Sequence, residues 1–223
     1  MSCPPCRGFL TSTIGKKYLV ALTAVFWCLF VMVHMLGNML IFVSAEAYNK
    51  YSHALTSNPF IYVAEFVLLV LILVHIFLAL GLKLRNYRTK PALYTVRPMR
   101  EKSAAISSRT MAYTGTFILA FIIWHLITFK YGQQYFVFYQ GVEVRDLYRL
   151  VVEKFHNPIY VSLYCVVMVL IGSHLYHGVK SIFQSLGINH PRYNSFFRCF
   201  GYSYAIIVAA GFFSQPIYVY FMR

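Results

Sequence analysis

Charged residues are scarce in this chain. Of its 223 residues, 12% are charged and 59% are hydrophobic, whereas an ordinary soluble domain carries about 25% charged residues. So low a charged fraction excludes a normal soluble surface and predicts an integral membrane protein. The length leaves room for one helical bundle and for no separate soluble domain, so we expect a single transmembrane domain over residues 1–223.

Cysteine is also sparse, and the five cysteines form no recognisable site. Cys3 and Cys6 have a metal-like spacing, but no second pair is present to complete a tetrahedral site. No histidine follows Cys6, so the attachment pattern of a c-type haem is absent. The other three, Cys28, Cys165 and Cys199, fit the behaviour of small apolar packing residues.

Five runs between the charged residues are long enough to cross a bilayer, which takes about 20 apolar residues. They predict helices over 18–43, 60–83, 109–130, 157–181 and 198–221. The predicted fold class is therefore an all-α membrane protein with five transmembrane helices. No small-residue cleavage site follows the first run, which we interpret as a retained helix rather than a signal peptide.

The basic residues are distributed unevenly. Fourteen of the 20 lysines and arginines fall at the N-terminus and in the second and fourth connections between the predicted helices. Because these residues are enriched in cytoplasmic loops, we expect a cytoplasmic N-terminus and an external C-terminus. The basic face also suits an acidic partner. Nucleic acid binding is not expected, since the basic residues flank membrane spans and form no separate module.

Four of the eight histidines lie in four different apolar runs: His34, His75, His125 and His174. An imidazole in hydrocarbon is costly, so each is a functional hypothesis. At about 1.5 Å per residue from the cytoplasmic edge, His34 and His125 lie roughly 25 and 24 Å deep, and His75 and His174 about 12 and 9 Å. The depths pair His34 with His125 and His75 with His174.

Two bis-histidine haems account for this pattern, because an iron with two axial histidines needs them on opposed helices at one height. We expect His34 and His125 to bind an outer haem b, and His75 and His174 an inner one, in a four-helix core with a fifth, peripheral helix. His177, three residues after His174, competes with it as the inner ligand. The other interpretation of each histidine is a polar residue hydrogen-bonded between helices.

Small residues lie one turn from three of these histidines: Gly37, Ala79 and Gly178. They would let a flat ring approach the backbone. Small residues equally favour ordinary helix–helix packing, so both interpretations stand.

Glu65 is the one acid within a predicted span. A carboxylate at that depth must be paired or protonated. Glu65 lies near the level of the outer histidine pair, where it either handles protons or is satisfied by a neighbouring helix.

Several segments resemble the dihaem cytochrome b membrane anchor of succinate dehydrogenase and fumarate reductase, of the single-polypeptide, five-helix type. They are Phe30-Val-Met-Val-His34-Met, Ala45-Glu-Ala-Tyr-Asn49 with Ser52-His53, Trp124-His125-Leu and His174-Leu-Tyr-His-Gly178. The resemblance covers nearly the whole chain and is weakest in the first ten residues, the third connection and the fifth helix. It implies the same two haem pairs. It also assigns the helix-four ligand to His174, because in the family a glycine follows that ligand four residues later.

The resemblance implies an electron-transfer subunit of a respiratory enzyme in a bacterial cytoplasmic membrane, linked to the tricarboxylic acid cycle. A partner flavoprotein with covalent FAD would carry out the dicarboxylate chemistry, and a partner iron–sulfur subunit would pass electrons to the inner haem. The outer haem would exchange electrons with a membrane quinone, most often menaquinone. Candidates for the quinone site are Glu65, His53 and Asn49. Some fumarate-reducing relatives carry a glutamate two residues before the helix-four ligand, and Gly172 in that position argues against a proton route of that kind.

Two alternatives stay open at this stage. A dihaem cytochrome b could serve another quinone-linked oxidoreductase, such as a hydrogenase or a formate dehydrogenase. A haem-free transporter or a non-haem metalloenzyme could also use intramembrane histidines, but a metalloenzyme would need them clustered at one level with carboxylates.

Overall fold

The structure is a computed structural model that describes residues 8–88, 99–188 and 190–222, with the side chains of 99–109 outside the description. Five helices in these ranges are long and apolar enough to cross a membrane: Thr13–Phe42, Phe60–Arg88, Thr110–Lys130, Pro158–Ser185 and Pro191–Phe221. The predicted all-α membrane fold is therefore confirmed. Cys3 and Cys6 lie outside the described residues, as do Lys90 and Arg97 of the second connection.

The described ranges contain seven α-helices and one β-hairpin. The helices are α1 (Thr13–Asn38), α2 (Ala45–Thr56), α3 (Phe60–Arg88), α4 (Met99–His125), α5 (Leu147–Phe155), α6 (Pro158–Ser185) and α7 (Pro191–Phe221), and the strands are β1 (Phe136–Tyr139) and β2 (Val142–Arg145). A 3₁₀ turn, Met39–Phe42, extends α1, and a π-helical turn, Leu126–Lys130, extends α4.

Several helices run past the charged residues that delimit the predicted spans. α7 begins at Pro191 instead of 198, α4 begins at Met99 instead of 109, and α3 continues to Arg88 instead of 83. The start of α7 is set by local capping: Pro191 occupies the first turn, where its missing N–H is not needed, and His190 Nδ1 accepts a bond from the Arg192 N–H at 3.2 Å. Gaps between charges therefore locate the hydrocarbon-spanning part of each helix and not its ends.

α1 and α6 are the central helices. α1 packs against α3, α6 and α7, and α6 packs against α4 and α7. In the described ranges, neither α1 and α4, nor α3 and α6, nor α3 and α4 pack closely along their lengths. The four histidine-bearing helices are thus arranged with α1 opposite α4 and α3 opposite α6.

α7 lies outside these four helices and sets the rotation of α1 about its axis. The Met35 side chain is 1% exposed, and a Cβ added to Gly211 of α7 would lie only 2.5 Å from its Sδ. Gln215 Nε2 donates to the Met35 carbonyl at 3.4 Å, and the Tyr204 hydroxyl donates to the Cys28 carbonyl at 2.6 Å. The neighbouring His34 has its ring 5.9 Å from that of Phe212 on α7 and 5.9 Å from that of His125 on α4, so it faces the interior between these two helices.

At one end of the bundle α2, the hairpin β1–β2 and α5 form a layer that we call the outer cap. The hairpin pairs Phe136 with Arg145, and its two-residue turn has positive φ at Gln140 (52°) and Gly141 (82°), as a type I′ turn requires. The cap shares one buried cluster with the transmembrane helices: Ile41, Tyr48, Val151, Phe155, Val161, Tyr164, Met168 and Val219. The third connection is therefore a folded part of the protein.

The hairpin also fixes the end of the helix that carries His125. The Arg145 guanidinium donates to the carbonyls of Phe129 (2.9 Å) and Lys130 (3.4 Å) in the π-helical turn. Burial lowers the pKa of Arg145 from its ordinary value, but an arginine stays charged well above neutral pH. Arg145 thus satisfies carbonyl groups that the end of the helix leaves without partners.

Candidate functional site

The structure brings His34 and His125 together across the bundle. Their ring centres lie 5.9 Å apart and the ring planes are at 89°. The pair is enclosed by aromatic side chains: Phe30 stacks on His34 at 5.4 Å, and Phe129 lies 5.3 Å from His125. Since α1 and α4 do not pack closely in the described ranges, the two imidazoles extend toward each other across the space between the helices.

Each outer histidine has a polar side chain beside it, from its own helix for His34 and from α6 for His125. Asn38 Nδ2 donates to the His34 carbonyl at 2.8 Å and lies 3.5 Å from His34 Nε2. The Tyr48 hydroxyl donates to Asn38 Oδ1 at 2.8 Å, and burial raises the pKa of Tyr48 above its ordinary range, so the phenol stays protonated and can donate. His125 Nδ1 lies 3.2 Å from the Tyr164 hydroxyl.

The second pair, His75 and His174, is held differently. His75 Nδ1 lies 3.1 Å from Thr23 Oγ1, and His174 Nδ1 lies 3.0 Å from Thr114 Oγ1. Thr23 belongs to α1 and Thr114 to α4, so the two imidazoles are held by hydroxyl groups of opposite helices. The structure therefore brings His34 and His125 together, and it holds His75 and His174 through threonine hydroxyls of the same two helices, α1 and α4.

His177 lies half-buried on α6, one turn beyond His174 and beside the Tyr176 ring, 5.0 Å away. Lys180 follows it three residues later on the same helix. The threonine of α4 bonds to His174. His177 therefore lies on the side of His174 that is closer to the charged end of α6.

The first pair has the ring spacing, and the two histidines of the second pair have the free ring nitrogens, that bis-histidine haem ligation requires. Metal–imidazole bonds are about 2 Å long, so two imidazoles on one iron have ring centres roughly 6 Å apart, and the His34 and His125 rings are 5.9 Å apart. In the second pair the ring atom Nδ1 of each histidine is bonded to a threonine, which leaves Nε2 as the atom that can bind a metal. Among the described residues no group of three or more His, Cys, Asp or Glu side chains is arranged around a metal site, and a haem iron needs only two such ligands.

The small residues beside the histidines differ in their surroundings. A Cβ on Gly37 would lie 2.5 Å from the Tyr51 ring, so Gly37 accommodates a side chain of α2 and serves helix packing. Gly178 has nothing within 4 Å of such a Cβ, so a flat ring could approach the backbone there. A Cβ on Gly172 would lie 2.9 Å from the Ala209 side chain of α7, which turns this position toward α7.

Glu65 forms an ion pair with Lys130 at the outer end of the bundle. Glu65 belongs to α3 and Lys130 to the π-helical turn after α4, so the pair links two helices that do not pack closely along their described lengths. The Glu65 side chain is 39% exposed. A neighbouring helix therefore satisfies the carboxylate, and the group also remains accessible from outside the bundle.

The two other quinone-site candidates lie in α2. The Asn49 side chain is fully buried; its Nδ2 donates to Asp146 Oδ1 at 2.8 Å, and its Oδ1 accepts from the Tyr148 N–H at 2.9 Å. These bonds use the Asn49 amide to join α2 to the start of α5. His53 is half-buried near the end of α2, and its carbonyl accepts a bond from the Ser57 hydroxyl at 2.7 Å.

Sequence reasoning did not identify the polar partners of the histidines. Thr23 precedes His34 by 11 residues, and Thr114 precedes His125 by the same interval. Eleven residues return a helix to nearly the same face. Thr23 therefore lies on the same face of α1 as His34, and Thr114 on the same face of α4 as His125, although the two threonines contact His75 and His174. That repeated spacing was the available signal. Asn38 and Tyr164 have no comparable signal, because their contacts depend on how α1, α2 and α6 pack.

No protein-family model, no curated protein and no solved structure matches this chain. The five-helix architecture and the approach of His34 to His125 therefore rest on the geometry of this chain alone.

Proposed function

We propose that this chain is the membrane-anchor and electron-transfer subunit of a succinate:quinone oxidoreductase, with two bis-histidine haems b. The observation that supports this most directly is that His34 and His125 approach each other at one level, while hydroxyl groups of the same two helices hold His75 and His174 at a second level. On α1, Thr23 at the inner level and His34 at the outer level are 11 residues apart, which is about 16 Å along the helix. Two centres at that separation would carry electrons across much of the bilayer.

A haem with histidine on both faces supplies one-electron transfer and has no open position for oxygen or substrate. His34 and His125 would hold the outer group, and His75 and His174 the inner one. The remaining residues orient these imidazoles and exclude water: Phe30 and Phe129 enclose the outer pair, and the threonines hold the inner pair. The chemistry on the dicarboxylate would take place in a partner flavoprotein.

The basic residues support a partner at the end opposite the outer cap. The described basic residues of that end are Lys16, Lys17, Lys83, Arg85, Arg88, Lys180, Arg192 and Arg198. Under the proposal this end faces the cytoplasm, as the lysine and arginine asymmetry favours. Its basic residues would bind an acidic surface of the iron–sulfur subunit. The outer cap and the C-terminus then lie on the external side of a bacterial cytoplasmic membrane.

A quinone would bind near the outer pair, where Glu65 and Lys130 bridge α3 and α4. The loose packing between these two helices gives a lipid-soluble ligand a lateral approach to the bundle, and the partly exposed Glu65 carboxylate can exchange a proton with it. Position 172 of α6 is a glycine that faces α7. A glycine has no carboxylate, so α6 offers none at this position for a transmembrane proton route. Under the proposal, protons for quinone chemistry come from the outer side.

The test is purification of the chain from its native membranes under mild detergent, followed by identification of its bound subunits and by addition of substrates. Reduction of b-type absorption bands by succinate, together with a bound flavoprotein and an iron–sulfur protein, is the expected result. Reduction by hydrogen or formate instead would assign the chain to another quinone-linked oxidoreductase. A purified chain without any b-type bands would contradict the proposal.

A further inference from the structure

Two helices of this protein repeat the same pair of residues at the same spacing. α1 carries Thr23 and, 11 residues later, His34; α4 carries Thr114 and, 11 residues later, His125. In both helices the histidine belongs to the outer pair, whereas the threonine contacts a histidine of the inner pair on another helix. Each of the two opposite helices thus contributes to both levels.

The hydroxyl bonds determine which way the inner imidazoles face. A threonine hydroxyl has one proton to donate. Thr23 Oγ1 lies 3.0 and 2.9 Å from the carbonyls of Leu19 and Val20, which are acceptors and take that proton. Toward His75 the oxygen can then act only as an acceptor, so His75 Nδ1 carries the hydrogen and donates it.

The same reasoning holds on the other side of the bundle. Thr114 Oγ1 lies 3.2 and 3.1 Å from the carbonyls of Thr110 and Met111, and His174 Nδ1 therefore donates to Thr114. In both inner histidines the hydrogen is on Nδ1, and Nε2 carries the free lone pair that a metal requires. A partner that binds the second ring nitrogen in this way fixes both the tautomer and the orientation of a metal ligand.

We propose that Thr23 and Thr114 are positioning residues for the inner cofactor: they hold His75 and His174 by Nδ1–H and present the Nε2 atoms to one haem iron. The inference rests on the proposed function, because it takes the group bound there to be a haem. It goes further by assigning the tautomer of both ligands to two hydroxyl groups that belong to the helices of the outer pair.

In the described part of the chain no threonine contacts the outer histidines in this way, so the loss of either threonine hydroxyl should affect the inner haem alone. His125 Nδ1 lies beside the Tyr164 phenol, and the side chain nearest a His34 ring nitrogen is the Asn38 amide. A donor bond from Nδ1 makes an imidazole a more basic ligand, and a more basic ligand favours the oxidised iron. Loss of a threonine hydroxyl should therefore raise the midpoint potential of the inner haem and leave that of the outer haem unchanged.

The experiment uses the whole complex purified from native membranes, with Thr23→Val and Thr114→Val as nearly isosteric changes that remove only the hydroxyl. Thr23→Ser and Thr114→Ser keep it. The matched control is Thr116→Val, since the Thr116 hydroxyl bonds within its own helix, to the Ala112 carbonyl at 2.9 Å. The measurements are a redox titration of the two haems and the low-temperature EPR spectrum of each low-spin iron.

We expect both valine variants to shift the potential upward and to change the EPR signal of the inner haem alone. The serine variants should match the unmodified protein, as should Thr116→Val. If a valine variant does not accumulate, the comparison of serine with alanine at the same position gives the same contrast. An inner haem that is unchanged in both valine or both alanine variants would overturn the inference while the proposed function stands. An unmodified complex without haem would overturn the proposed function itself.

Discussion

The imidazole of His34 on α1 lies 5.9 Å from that of His125 on α4, with the two rings perpendicular. The two imidazoles approach each other here although α1 and α4 do not pack closely in the described ranges. Such an approach is what the binding of one iron by both histidines requires. We expect His34→Leu and His125→Leu each to lose the outer haem and to keep the inner one, because the levels are about 16 Å apart. Haem content per chain should fall by half in a pyridine haemochrome assay. Loss of both haems in a variant that still elutes as a monodisperse complex would argue against two independent sites.

Replacement of the two neighbouring histidines of α6 tests which of them binds the inner group. His174 is bonded to Thr114, whereas His177 lies one turn closer to Lys180 and the charged end of the helix. His174→Ala should remove the inner haem, and His177→Ala should retain both haems by the same assay. The reverse outcome would reassign the ligand.

The ion pair of Glu65 and Lys130 should matter more for turnover than for stability. Both side chains are more than one-third exposed, and exposed ion pairs contribute about 0–1 kcal/mol. Glu65→Gln should leave thermal unfolding nearly unchanged and lower quinone turnover at least about tenfold, since a positioned proton donor is typically worth more than that. Reduction of a soluble dye by the partner subunits is the internal control. Normal quinone turnover in Glu65→Gln would remove this residue from the quinone site.

Asn49→Ala should destabilise the outer cap. Its fully buried amide joins α2 to Asp146 and to the Tyr148 backbone, and a typical intramolecular hydrogen bond contributes about 0.5–1.5 kcal/mol to stability. Thermal unfolding in detergent should shift downward. His53→Ala, at a half-buried position in the same helix, is the matched control and should stay within about 0.5 kcal/mol. An unfolding transition of Asn49→Ala identical to that of His53→Ala would show that the amide does not hold the cap.

The amino-acid sequence was sufficient for the number of candidate membrane spans, because scarcity of charge is a local property. The levels of the four histidines stay a prediction from the rise of a helix. It was not sufficient for the helix ends, which depend on caps such as His190 at α7. The outer cap was not predicted either. The charged connection before Phe155 folds only because Tyr48, Val151 and Tyr164 share a core between α2, α5 and α6.

The faces of the helices were the hardest property to predict. α3 is apolar around its whole circumference and buries none of its residues, so no periodicity marks the side that carries His75. Its contact with Thr23 depends on the packing of α1 against α3. Similarly, Gly37 is adjacent to a histidine in sequence, but only the folded position of Tyr51 shows what fills the space beside it.

The central claim is that His34 with His125 and His75 with His174 each bind one iron. The most direct measurement is the haem content and the EPR spectrum of the oxidised complex, purified from native membranes. Two b-type haems per chain, both low-spin and six-coordinate, are the predicted result. A preparation with no haem, or with a high-spin iron that has an open axial position, would contradict it.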